Sequence, residues 1–183
     1  ACGSGAFATR ELSHALFERH FDTAPYHAVD HGGWRFVVAN SQLGPTWEPG
    51  HALCDTSRAS FGREQLAWID EQLAAGKPTF VLQHHMLALV EEDEDPGTEL
   101  PGLSAVFARH PNLAANWVGH THNWLDLSTG RDFEHIVLAA TRYDTDNFWV
   151  VEFQEDGSAY RVLDREKSGW FSYCADTWVY DGT

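Results

Sequence analysis

The sequence has little positive charge and no long apolar run. No stretch approaches the roughly 18 apolar residues that a membrane-spanning helix needs, and 12 basic residues stand against 27 acidic ones, for a formal net charge of −15. That charge repels nucleic-acid phosphates and anionic lipid. With 183 residues, 43% of them hydrophobic, the composition predicts a soluble globular chain of one domain, with no membrane partner and no broad nucleic-acid binding.

Cysteine and methionine are also scarce. Cys2, Cys54 and Cys174 are widely spaced and form no CxxC pair, so the pattern predicts neither a zinc knot nor a disulfide framework. The N-terminus lacks the basic start and apolar core of a secretory signal, and localisation stays open. Because the only methionine is Met86, we expect the chain to be a processed product, a trimmed chain or one piece of a longer polypeptide.

Hydrophobic patterns along the chain predict a mixed α/β fold. Leu66, Ile69 and Leu73 recur at helical spacing, and a Gly-Gly pair between β-favouring runs indicates a hairpin. Wholly apolar runs predict strands that are buried on both faces. The predicted elements are a hairpin over 26–41, a helix over 62–76, a strand over 79–85, a helix over 103–110, a strand over 113–119, and further strands over 134–141, 147–154 and 158–164.

Two histidine motifs follow the two buried strands. His84 and His85 end TFVLQHH, while His120 and His122 follow Gly119 in WVGHTHNW. Side chains two apart in an extended segment point the same way, and open α/β sheets place their ligand crevices at the carboxyl ends of strands. We therefore predict that His84, His120 and His122 converge as metal ligands, although an HH or HxH pair alone more often belongs to a polar loop.

The order of these motifs resembles the calcineurin-like metallophosphoesterases. Members carry an apolar strand ending in histidine, then a helix, then a strand ending Gly-His-x-His, and FVLQHHM followed by WVGHTH matches that order over about residues 26–141. The resemblance implies the C-terminal half of a four-layer α/β/β/α sandwich with a mixed β-sheet. It also implies that His84 and His120 bind one metal of a dinuclear pair and that His122 binds the other.

The chain departs from the family's pattern in what it lacks. Met86 and Asn40 stand where members often have proline and aspartate, and the Asp-x-His, Gly-Asp and Gly-Asn-His motifs are absent. Three imidazoles supply no carboxylate to bridge two metals and balance their charge. We therefore expect residues 1–183 to be a single domain or half-domain that the N-terminal half polypeptide of the same enzyme completes, either as a preceding segment or as a second chain after proteolytic processing.

The implied activity is hydrolysis of a phosphate ester, a monoester or a diester, by a metal-activated hydroxide. The cofactors would be two transition metals among iron, manganese and zinc, and no catalytic residue is assigned within this chain. His85 and Asn123 adjoin the proposed ligands and are candidates for substrate contact, although packing or loop hydrogen bonding is the commoner role.

Two alternatives stay open. The first is a noncatalytic binding or regulatory module that keeps the fold without a complete metal site, and the second is a mononuclear structural metal site. The remaining histidines have no comparable spacing and are expected to be surface or packed polar residues. They are His14, His20, His27, His31, His51, His110 and His135.

Overall fold

The structure, a computed structural model, describes residues 10–48, 50–92, 101–142 and 148–163. The helices within these ranges are α1 (Arg10–Phe21), α2 (Arg63–Ala74) and α3 (Leu103–Ala108), with short 3-10 helices at Pro45–Trp47 and Leu87–Leu89. The strands are β1 (His27–His31), β2 (Trp34–Val38), β3 (Thr79–Leu82), β4 (Leu113–Val118), β5 (Leu125–Asp126), β6 (Glu134–Val137), β7 (Val150–Phe153) and β8 (Tyr160–Leu163).

Six strands form one mixed sheet in the order β1-β2-β3-β4-β6-β5. Strands β2, β3, β4 and β6 run parallel, and an antiparallel strand lies at each edge. The connections from β2 to β3 and from β3 to β4 pass through α2 and α3, which is the usual way to join parallel neighbours. The carboxyl ends of β3 and β4 therefore lie side by side.

One face of the sheet packs against α2 and α3. The stripe of α2 that the sequence predicts, Leu66, Ile69 and Leu73, is buried and meets Val37 of β2 and Val81 of β3. Fully burying a leucine or isoleucine side chain contributes about 1.5–3 kcal/mol. This stripe therefore holds α2 against the strand that leads into His84.

The other face is covered by the β7–β8 hairpin through an aromatic cluster. Trp34, Phe80 and Trp117 extend from β2, β3 and β4 toward Phe153 and Tyr160 of the hairpin. The ring centroids lie between 4.8 Å (Phe80 to Tyr160) and 6.2 Å (Trp117 to Tyr160), and the rings meet edge to face, a favoured aromatic geometry. The hairpin is thus fixed to the sheet by directional as well as apolar contacts.

A glycine in the β1–β2 turn permits a second contact with the hairpin. Gly33 N donates a hydrogen bond to Glu155 O at 2.5 Å, and Trp34 Nε1 donates to Gln154 O at 2.7 Å. A Cβ at position 33 would overlap the backbone of Asp156. Glycine is therefore required there by close approach of two backbones.

Most of the predicted elements are confirmed, with shorter bounds. The hairpin, the helix beginning near residue 62 and the buried strands are present, and α3 ends at Ala108, not at His110. Helix α1 and the two-residue strand β5 were not predicted. The described residues form three layers, which are the helices α2 and α3, the six-stranded sheet and the β7–β8 hairpin. That the chain is the C-terminal half of a four-layer sandwich stays a prediction.

The structure also bears on the cysteines and on the expected lack of a membrane-spanning segment. Cys54 is disulfide-bonded, which the wide spacing of the three cysteines did not indicate. Among the described residues, no helix combines the length and the apolar character that crossing a membrane requires.

Candidate metal centre

The site lies where the loops after β3 and β4 meet. Gln83 N donates to Trp117 O at 3.2 Å, and Gly119 N donates to His84 O at 3.0 Å. These two hydrogen bonds continue the pairing of the parallel strands into the loops. They bring His84 and His120 together, as expected for adjacent carboxyl ends in an open α/β sheet.

Three imidazoles form a group with the spacing of metal ligands. His84, His85 and His120 each offer a ring nitrogen, and these atoms all lie within 4.8 Å of one another. His84 Nε2 and His120 Nδ1 are 3.2 Å apart. Two nitrogens on one tetrahedral zinc, each about 2.0–2.1 Å from it, are about 3.3 Å apart. The pair therefore fits one metal, and a modest movement of His85 would bring a third nitrogen to it.

The loop that carries His120 and His122 has a left-handed backbone at both residues. Their φ angles are 77° and 60°, a region that costs a non-glycine residue about 1–3 kcal/mol and is found at ligand sites. The segment is not extended, so the alternation expected of a strand does not apply. His122 is exposed and lies outside the group of three, although it is close enough to lower the pKa of His84.

Burial and repulsion between neighbouring rings lower the pKa of two of these imidazoles, His84 and His85. Burial lowers the pKa of His84, and the nearby His120 and His122 lower it further. The pKa of His85 is lowered to about 4, chiefly by burial and then by His84 and His120. A neutral imidazole retains a lone pair, which is the form that binds a metal. The lowered pKa values of His84 and His85 therefore favour the form of these two rings that binds a cation.

The two candidates for substrate contact occupy different environments. His85 is 1% exposed, and its Nδ1 is hydrogen-bonded to Ser41 Oγ at 2.8 Å. Asn123 is exposed, and its Nδ2 donates to Thr121 O at 2.9 Å within the same loop. A substrate role for either residue stays a prediction.

A buried glutamine of α2 supports the site, and sequence reasoning missed it. Gln65 Nε2 donates to Asn40 O and Asn40 N donates to Gln65 Oε1, both at 2.8 Å. This pair of bonds fixes the backbone immediately before Ser41. The signal in the sequence is a polar residue on the apolar stripe of α2, since Gln65 stands four residues before Ile69.

His135 is a packed histidine with both ring nitrogens engaged. Leu87 N donates to His135 Nε2 at 3.2 Å, so His135 Nδ1 carries the hydrogen and donates to Asn116 O at 3.1 Å. Burial lowers its pKa. The expectation of satisfied polar packing is confirmed for this residue, which ties the loop after β3 to the centre of the sheet.

The group of three contains no carboxylate, and no second group of this kind occurs among the described residues.

A cavity of about 220 Å³ lies elsewhere, between α3 and the loop before β6. It adjoins Leu113 at the start of β4, whereas His120 follows the end of that strand. None of His84, His85 and His120 lines the cavity.

Comparison with known proteins gives a likeness at the level of the fold. No family model matches the sequence and no curated protein matches it. The fold is similar to that of a dimetal phosphatase from Danio rerio, with a TM-score of 0.51 and 14% sequence identity, over 80% of this chain and 56% of that chain. The protein therefore has a phosphatase-like mixed α/β fold, and it spans little more than half of that phosphatase's length. Its three-histidine group is compatible with metal binding.

Proposed function

We propose that the protein is a metal-dependent phosphoesterase that hydrolyses a phosphomonoester or phosphodiester. The observation that carries the proposal is the convergence of His84, His85 and His120 at the carboxyl ends of β3 and β4. The fold's likeness to a dimetal phosphatase supports it. A bound cation also answers the charge problem, since it reverses the local field of a chain with net charge −15.

His84 and His120 hold one metal in this proposal, and His122 holds the second. The metals are iron, manganese or zinc, because imidazole suits each of them. When bound, they supply an activated hydroxide and offset negative charge on the phosphoryl oxygens. The chain's own part is to present imidazoles from two loops that backbone hydrogen bonds join.

The carboxylate ligands come, in this proposal, from the N-terminal half polypeptide, either as a preceding segment or as a second chain. Neutral imidazoles alone leave the charge of two metals unbalanced. Helix α1 supports a partner, because none of its residues is buried and its Leu12, Leu16 and Phe21 are 51%, 42% and 67% exposed. A cluster of exposed large apolar side chains marks an interaction surface.

A noncatalytic module is the second candidate, favoured by the lack of a carboxylate in the histidine group. Such a module would keep the fold and bind a partner. The two candidates differ in whether the natively purified protein, with every chain it carries, hydrolyses a phosphate ester.

The test is native mass spectrometry and elemental analysis of that preparation, followed by assays with p-nitrophenyl phosphate and bis(p-nitrophenyl) phosphate. We expect about two transition metals per complex and hydrolysis that the double variant His84→Ala, His120→Ala abolishes. His31→Ala, which changes an exposed histidine of β1, is the matched control and keeps full activity. Bound metal without hydrolysis would exclude the enzyme and favour a structural metal site, and a folded, metal-free chain without hydrolysis would favour the noncatalytic module.

A further inference from the structure

The adjacent residues His84 and His85 differ in burial and in their hydrogen bonds. His84 is exposed and lies beside His120, whereas His85 is 1% exposed and Ser41 is 2% exposed. Among the described residues, the bond to Ser41 Oγ is the one hydrogen bond of the His85 ring. It occupies Nδ1, so Nε2 is the nitrogen that remains for another partner.

We propose that Ser41 is a positioning residue that makes His85 a third ligand of the metal held by His84 and His120. The Ser41 hydroxyl oxygen accepts the hydrogen of His85 Nδ1, which places the lone pair of the neutral ring on Nε2. Metal-binding histidines almost always donate their other N–H in this way. The inference rests on the proposed function, because it presupposes the metal.

Hydrogen bonds on both sides of Ser41 hold its backbone in place. Ser60 N donates to Ser41 O at 3.0 Å, and Gln65 engages both backbone polar groups of Asn40 at 2.8 Å. The loop that carries Ser41 is thus fixed by Gln65 of α2 and by Ser60, which lies in the segment before α2. The backbone at Ser41 therefore has little freedom to move away from His85, which is what a positioning role requires.

Comparison with His135 shows why His85 is a candidate ligand. Both rings are buried to 1% exposure, but His135 uses both nitrogens in hydrogen bonds to the backbone. His85 uses one, and its ring centroid lies 4.5 Å from that of His120 and 4.8 Å from that of His84. The second nitrogen of His85 is thereby left for the histidine group.

The experiment measures Co²⁺ binding to the metal-free, natively purified protein, with every chain it carries, and to three variants of this chain by visible absorption, with circular dichroism to confirm folding. Ser41→Ala should weaken Co²⁺ affinity by about 10–100-fold. His85→Asn, whose amide nitrogen can keep the bond to Ser41 but which lacks Nε2, should weaken it at least as much. Thr79→Val is the matched control, because it removes an equally buried hydroxyl that donates to Lys77 O at the far end of β3, and it should bind as the wild type does.

A second measurement reads the tautomer of His85 directly in the wild-type chain, so it does not depend on a variant that folds. Long-range ¹H–¹⁵N correlation spectra of the metal-free protein should show hydrogen on Nδ1 and a lone pair on Nε2. The inference would be overturned if His85 carried its hydrogen on Nε2, or if Ser41→Ala and His85→Asn bound Co²⁺ as tightly as the wild type. Neither result would contradict a metal held by His84 and His120. A wild-type chain that binds no Co²⁺ would overturn the metal centre together with the inference.

Discussion

Replacing Gln65 with leucine should destabilise the fold and the histidine site together. The substitution keeps the size of the side chain but removes both bonds to Asn40 and a third, from Nε2 to Phe61 O at 3.1 Å. An unsatisfied buried polar group costs about 1–3 kcal/mol, and two groups of Asn40 lose their partner. With a partial offset from the apolar leucine, we expect a loss of about 3 kcal/mol, or about 6–12 °C in Tm for a chain of this length.

Urea unfolding followed by tryptophan fluorescence measures this loss. The matched control is Gln72→Leu on the same helix, because Gln72 contacts Arg35 through its backbone carbonyl, which the substitution retains. The control should stay within about 0.5 kcal/mol of the wild type. A Gln65→Leu chain as stable as that control would refute the role given to Gln65.

Three further predictions concern pH, backbone strain and close contacts. The pKa of His85 falls on folding from 6.5 to about 4, so its contribution to stability is present above pH 6.5 and is lost as the pH falls toward 4. Urea titrations should therefore show that this residue makes the protein about 2 kcal/mol less stable at pH 5 than at pH 8. Equal stability at the two pH values would contradict the burial of His85 as a neutral ring. At His122, with its φ of 60°, substitution by glycine should give a protein about 1 kcal/mol more stable than substitution by alanine; equal unfolding midpoints would argue against the left-handed backbone. Gly33→Ala should break the contact between the β1–β2 turn and the β7–β8 hairpin and lower Tm sharply. Gly119→Ala should be tolerated, because its Cβ would meet His84 Nδ1 at an ordinary 3.7 Å. A lower Tm for Gly119→Ala than for Gly33→Ala would contradict this geometry.

The elements of the main sheet could be predicted because their signals are local. The apolar run before His84 and the run before Gly119 predict buried strands, and helical spacing within 62–76 predicts the helix between the hairpin and the first of them. Parallel neighbours then place His84 and His120 at one edge. Helix α1 was missed although Leu12 and Leu16 stand four residues apart, at helical spacing. None of its residues is buried.

The details of the site could not be predicted in the same way, since they depend on contacts between distant residues. Ser41 and His85 are 44 positions apart, and nothing in an HH pair tells which ring is buried. The positive φ at His120 and His122 is a property of the loop. Because the loop is not extended, the rule that side chains two apart point the same way does not hold there.

The most direct test of the metal centre is an anomalous diffraction map from crystals of the protein grown with Zn²⁺ and measured at the zinc absorption edge. We predict a peak about 2.0–2.1 Å from both His84 Nε2 and His120 Nδ1. A fully occupied zinc at another place on the chain, or a map without a peak between these two nitrogens at saturating Zn²⁺, would contradict the account.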